Sequence, residues 1–194
     1  FLDDRLGISA GLRSDLNTYT EDGMNPLSTL SPRISASYVL ADKWTLNASI
    51  GSYSKIPTYT ILSFRDNSGV LMNKDADYTR SIHYVLGTEY LPNTTTRFTL
   101  EAFYKQYRNV PVSVKDGISL ANMGGDFGII GNEEVITNGK GKSYGFELFA
   151  QQKLTKRFFG TLSYTFFISR FSGLNNKEIA SAWDNRHLLS FIWG

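Results

Sequence analysis

Between residues 33 and 51 the chain alternates with a period of two. Ile34, Ala36, Tyr38 and Leu40 are set against Arg33, Ser35, Ser37 and Val39. After Ala41-Asp42-Lys43, Trp44, Leu46, Ala48 and Ile50 are set against Thr45, Asn47, Ser49 and Gly51. Successive side chains of a strand point to opposite faces, so this segment predicts a β-hairpin with one apolar and one small-polar face.

The same pattern recurs along the chain. It predicts a first strand over 5–13 and, after a polar connection over 14–31, the hairpin itself. A long connection over 54–79 follows, carrying the turn chemistry of Pro57, Asp66-Asn67-Ser68-Gly69 and Asn73-Lys74-Asp75. A fourth strand sets Ile82, Tyr84, Leu86, Thr88 and Tyr90 against Ser81, His83, Val85, Gly87 and Glu89. The turn Leu91-Pro92-Asn93-Thr94 leads to a fifth, with Phe98, Leu100, Ala102 and Tyr104 on one face. The longest connection, about 108–141, precedes a sixth strand carrying Tyr144, Phe146, Leu148 and Ala150. A turn at Leu154-Thr155-Lys156 leads to a seventh with Leu162, Tyr164, Phe166 and Ile168, and a loop over 170–182 to a last strand over 183–194. The result is an all-β chain of about eight antiparallel strands in which short turns and long loops take turns.

Which face is inside is decided by composition. A soluble barrel turns its apolar face inward and shows water Lys, Glu, Arg and Thr. Here the polar face is mostly Ser, Gly, Thr and Asn, suited to a crowded hydrated lumen, and mid-strand charges are missing from the apolar face. On a lipid-facing strand near the midplane a Lys or Arg costs roughly 2–4 kcal/mol. Aromatic residues gather at strand ends, Tyr38 with Trp44 and Tyr90 with Phe98, where a membrane-interface girdle belongs. The expected architecture is therefore a transmembrane β-barrel segment with short periplasmic turns and long extracellular loops.

The 194 residues contain no Cys, which excludes a disulfide scaffold and thiolate metal sites. A net charge of +2 with no Lys/Arg cluster gives no footprint for nucleic acid. No apolar run reaches the roughly 20 residues of a spanning helix, a test that is blind to β-spans. The chain opens at Phe1 without a signal peptide and closes at Gly194 inside a predicted strand, so it reads as a piece of a larger polypeptide.

Several stretches carry a resemblance. Leu30-Ser-Pro-Arg-Ile-Ser-Ala-Ser-Tyr, followed by Tyr53-Ser-Lys-Ile-Pro, resembles TonB-dependent outer-membrane receptors, in particular their Bacteroidetes-type members. Leu100-Glu-Ala-Phe-Tyr-Lys-Gln-Tyr-Arg-Asn-Val-Pro, Gly141-Lys-Ser-Tyr-Gly-Phe-Glu-Leu and Trp183-Asp-Asn-Arg-His-Leu-Leu-Ser are similar to further barrel strands of that family. The resemblance implies that residues 1–194 are a middle-to-late part of a 22-stranded barrel, without a plug domain or TonB box. It implies an outer-membrane active transporter for a scarce nutrient, a siderophore complex, cobalamin or oligosaccharide. Its partners would be outer-membrane lipid, the nutrient ligand and, through other parts of the protein, the TonB complex. A self-contained small barrel for adhesion or anchoring is the alternative, and a partial barrel must find strands for both open edges.

The residues themselves give little catalytic chemistry. Of the two His, His83 falls on the lumen face and His187 follows Asp184 and Arg186. A rim hydrolase would need His187 oriented by a carboxylate, but strand residues three apart face opposite sides, so no dyad is preformed. No HExxH, Gly-rich phosphate loop or EF-hand spacing occurs; Asp3-Asp4 and the Asp66, Asp75 and Asp77 group are loop carboxylates that could bind Ca²⁺, though loop carboxylates are more often simply solvated. Glu101, Glu147, Arg33, Lys105 and Arg186 are expected inward as an ion-pair network stiffening the wall. The expected ligand zone is the extracellular end of the lumen, with Tyr53, Lys55, Arg80, His83, Lys105, Tyr107, Arg108, Asp184 and Arg186 as candidates. Basic and aromatic groups there would receive an anionic chelate or stack on a sugar.

Overall fold

The computed structural model describes residues 5–124 and 129–194. Among them are nine strands: β1 (Leu6–Arg13), β2 (Ser31–Ala41), β3 (Trp44–Lys55), β4 (Thr79–Tyr90), β5 (Thr96–Ser113), β6 (Val135–Thr155), β7 (Phe158–Ser172), β8 (Glu178–Ala180) and β9 (His187–Trp193). The first seven form one antiparallel sheet in sequence order. β8 and β9 both pair with β7, at its two ends. β1 and β9 lie at opposite edges and do not pair, so the sheet does not close upon itself as a self-contained eight-stranded barrel requires.

Directly opposed residues of an antiparallel sheet share a face, so the register converts the sequence alternation into two continuous surfaces. One row runs Ala10, Ile34, Ile50, Tyr84, Tyr104, Tyr144 and Ile168. The neighbouring row on the other face runs Gly11, Arg33, Gly51, His83, Lys105, Ser143 and Ser169. No element packs on the apolar face: Leu100 and Leu148, mid-strand, are 45% and 44% exposed. The polar face is the more enclosed, with Ser143 and Ser169 buried. An apolar surface left open while serines are covered is an inside-out protein, and hydrocarbon is the solvent that suits it. Among the described residues no helix is long and apolar enough to cross a membrane.

Short turns sit at one end of the sheet and loops at the other. Asp42-Lys43 joins β2 to β3 and Lys156-Arg157 joins β6 to β7, with Lys156 at φ 58°. Between β4 and β5, the side-chain carbonyl of Asn93 accepts from the backbone N–H of Thr95 and of Thr96, an Asx turn. Beside these turns the girdle forms: Trp44 stacks on Tyr90 at 4.5 Å, and Tyr90 lies 6.4 Å from Phe98.

Among the described residues, packed apolar interior occurs only at the loop end. Leu62, on a one-turn helix α1 (Tyr59–Leu62), and Val112 are fully buried. Ile61, Leu120 and Val135 form one small core; Val110, Ala121 and Phe171 form another. Here β5 and β6 run to 18 and 21 residues, and they stay paired out to Ser113 and Val135, well inside the connection expected over about 108–141. A register shift between Tyr107 and Val110, with Asn109 at φ 54°, turns Val110 onto the polar-face side, opposite Gly139. The bulge breaks the alternation, which is why the sequence pattern stops where the strand does not.

Candidate functional site

The polar face carries one dense group of functional side chains, near the loop end. Tyr53 is its centre. Its ring lies over Gly51, where a Cβ would meet the ring edge at 3.0 Å and the Arg33 side chain at 3.2 Å. From there it contacts two neighbouring strands. The Arg33 guanidinium sits 4.2 Å from the Tyr53 ring centroid, and the His83 ring lies 4.3 Å away on the other side. His83 Nε2 hydrogen-bonds Ser81 Oγ at 3.0 Å and the ring stands 6.3 Å from Tyr107. Tyr107 leans on Phe171 at 5.2 Å, and Phe171 meets Trp183 edge-on at 5.8 Å. Lys105, opposite His83, places Nζ 4.9 Å from the Phe103 ring. Arg33 Nε is buried without a hydrogen-bond partner.

The expected zone therefore divides. Tyr53, His83, Lys105 and Tyr107 come together on the polar face. Lys55 is on the same face one pleat further out, opposite Thr79, beside a cavity of about 340 Å³ that also touches Tyr59 and Tyr78. Asp184 and Arg186 form an ion pair of 3.3 Å at the far end of the row, where the Asp184 carboxylate, its side chain 3% exposed, also accepts from the Ser169 backbone N–H. Arg80 and Arg108 are opposed on β4 and β5, but on the apolar face, in the rank beyond Ile82 and Gln106. Their places fall one residue out of step with Tyr53 and Tyr107, and a strand period of two sends them to the other side.

Arg33, expected only as a member of an ion-pair network, belongs to the polar-face group around Tyr53. Nothing local signals it: Arg33 is 20 residues before Tyr53, and only the β2–β3 register unites them. The network does not form among the described residues. Glu101 and Glu147 oppose each other with no cation bonded, and Arg33 and Lys105 lie over rings instead. Lys105 is four residues from Glu101 on one strand, roughly 13 Å.

The described residues hold no cluster of three metal-ligating side chains. Asp66 closes its own turn by accepting from the N–H of Ser68 and Val70, and Asp77 accepts from the Thr137 hydroxyl. Asp3-Asp4 lie outside the described residues. His187 does not meet Asp184. It opposes Phe166 on the apolar face, and its Nδ1 bonds Tyr164 Oη at 2.8 Å.

An open antiparallel sheet, apolar outside and small-polar inside, with turns at one end and packed loops at the other, is a segment of an outer-membrane β-barrel wall. Residues 1–191 match the family model for the TonB dependent receptor-like β-barrel, and the chain belongs to that family. It is a receptor barrel segment of the bacterial outer membrane and not an enzyme. Among solved structures it is similar to the ferripyoverdine receptor of Pseudomonas aeruginosa (TM-score 0.65, 20% identity, 98% of this chain and 24% of that one). It is also similar to the siderophore receptor PirA of the same organism (TM-score 0.59, 20% identity, 86% of this chain and 32% of that one). A third is the alcaligin outer-membrane receptor FauA of Bordetella pertussis (TM-score 0.54, 18% identity, 84% and 26%). The chain thus spans about a quarter to a third of these receptors. No curated protein matches it.

Proposed function

We propose that the chain forms part of the wall of a TonB-dependent transporter that captures a scarce nutrient from outside the cell and imports it, with energy supplied through the TonB complex. The nutrient class that suits the site best is an anionic metal chelate such as a ferric siderophore. One observation carries this reading: the array of Arg33, Tyr53, His83 and Lys105 on the enclosed polar face near the loop end. A buried guanidinium Nε without a partner and a lysine resting on a ring are cations held without counter-charge. A ligand bearing carboxylate, catecholate or hydroxamate oxygens satisfies them by charge-assisted hydrogen bonds, and the rings add stacking surface. A neutral sugar would use the rings and leave the cations unmatched. The similar structures include a ferripyoverdine receptor, a siderophore receptor and an alcaligin receptor, which supports this chemistry.

The test is titration of the full-length protein with ferric siderophores, cobalamin and a malto-oligosaccharide, followed by intrinsic fluorescence. A ferric siderophore is expected to bind, and Arg33→Gln and Tyr53→Ala each to weaken it by about tenfold or more, the worth of one charge-assisted contact. Binding of cobalamin or sugar alone, or siderophore binding indifferent to both substitutions, would overturn the reading.

A further inference from the structure

The apolar face changes character abruptly at its loop end. Tyr84, Tyr104 and Tyr144 stand side by side on β4, β5 and β6, with 6.3 Å between successive ring centroids. Tyrosines in such a row mark the boundary between hydrocarbon and headgroups. One pleat beyond them, roughly 7 Å along the strands, the same face carries Gln106, Lys142 and Arg170 in one row. Arg80 and Arg108 oppose each other in the next rank, and Lys140 lies opposite Ser172. Five cations on this face meet one carboxylate, Glu178, which bonds Lys142 at 2.8 Å. Arg80 donates to the backbone carbonyl of Ser28.

Three of these cations, Arg108, Lys140 and Lys142, line a cavity of about 550 Å³ together with Glu178, Tyr104 and Gln106, and Arg170 stands beside it, opposite Lys142. Below it is the lipid-facing band, and its own position is headgroup level. We infer that this groove on the outer surface of β5–β7 binds the phosphoryl groups of an outer-leaflet lipid, the phosphorylated glucosamine headgroup of lipopolysaccharide. Arg108 and Arg170 offer planar forks that match phosphate oxygens in pairs, while Lys140 adds a point charge. The Tyr row receives the first acyl segments. The cations of this groove lie on the opposite side of the wall from Arg33 and Lys105, and Tyr107 alone of the lumen group also touches the cavity.

The experiment uses the full-length protein in nonionic detergent, with bisphosphorylated lipid A and the same lipid stripped of phosphate as probes, read by native mass spectrometry. The phosphorylated lipid is expected to bind and the stripped one not to. Arg108→Gln, Lys140→Gln and Arg170→Gln together are expected to lower its affinity by about 100-fold, since each cation near an anionic headgroup is worth about a factor of five. Arg108→Lys with Arg170→Lys should retain most of the binding. Should the triple variant fail to assemble, the unmodified protein decides: affinity for the phosphorylated lipid alone should fall steeply between low and high salt. Equal binding of both lipids, a salt-independent affinity, or a triple variant with unchanged affinity overturns the proposal. Displacement of the lipid by millimolar inorganic phosphate also overturns it, making the groove a site for free anions.

Discussion

Tyr164 and His187 are hydrogen-bonded at 2.8 Å across β7 and β9, on the face turned to lipid. In hydrocarbon a phenol and an imidazole have no water to turn to, so each is the other's partner. The Phe166 ring, 5.2 Å from His187, closes the apolar side of the pair. His187 is a structural residue of the wall, and its sequence neighbour Asp184 serves the opposite face.

Replacing His187 with Ala strands the Tyr164 hydroxyl. The full-length protein is expected to lose about 1–2 kcal/mol, the cost of one unsatisfied buried group. Urea unfolding in detergent checks this. Tyr164→Phe combined with His187→Phe, which removes both polar ends, should recover most of the loss, and a double variant as weak as the single would refute the pairing argument.

Gly51 is a floor for Tyr53. A valine there must push the ring or the Arg33 stem aside, since a Cβ alone already sits 3.0 Å and 3.2 Å from them. The expected result is about a tenfold weaker hold on the ligand with little change in barrel stability. Adding Gly51→Val to Tyr53→Ala should then cost clearly less than the two single losses summed, because both act on the Tyr53 ring and only the push on Arg33 remains. Isothermal titration of the single and double variants measures this directly.

Gly145 and Gly11 make a matched comparison. A Cβ on Gly145 would lie 2.0 Å from the Phe166 carbonyl oxygen and 2.7 Å from the Phe167 Cα, both backbone, whereas around Gly11 the space is open. Gly145→Ala is expected to abolish folded protein in the outer membrane by forcing β6 and β7 apart. Gly11→Ala should leave the yield unchanged. Heat-modifiable migration on gels distinguishes folded from unfolded barrel in both.

Asn73 ties two loops together. Its side-chain amide donates to the carbonyls of Ile61 (2.9 Å) and Glu133 (2.7 Å), and its Oδ1 accepts from the Val135 N–H (2.9 Å). Asn73→Ala leaves the Glu133 carbonyl and the Val135 N–H without these partners, at about 1–3 kcal/mol each, while the Ile61 carbonyl keeps the Phe64 N–H. Faster hydrogen exchange and proteolysis are expected over 56–78 and 129–134, while the sheet below stays protected. Unchanged exchange at Val135 would refute the role of this residue.

The alternation of Ile34 to Leu40 and Trp44 to Ile50 was enough to read the hairpin, because a lipid-facing strand repeats one simple rule. The aromatic belt at Trp44, Tyr90 and Phe98 was equally plain. What escaped was whatever depends on register or on a broken period. Arg33 joins Tyr53 only through strand pairing; Val110 and Val112 are hidden behind the bulge at Asn109; Arg80 and Arg108 were near the right height but one residue off in phase. Asn73 sits in a loop whose partners are 12 and 60 residues away, a distance no local pattern spans.

β5 and β6 rise as a paired stem far beyond the roughly 9–11 residues that a membrane crossing uses. The small cores of the loops rest against the top of that stem. A tug on those loops, from anything large that fastens to them, pulls both strands lengthwise and loads their rungs together instead of peeling them one at a time. The outermost part of the protein is thereby its mechanical handle: a grip taken there is felt by the wall as a whole.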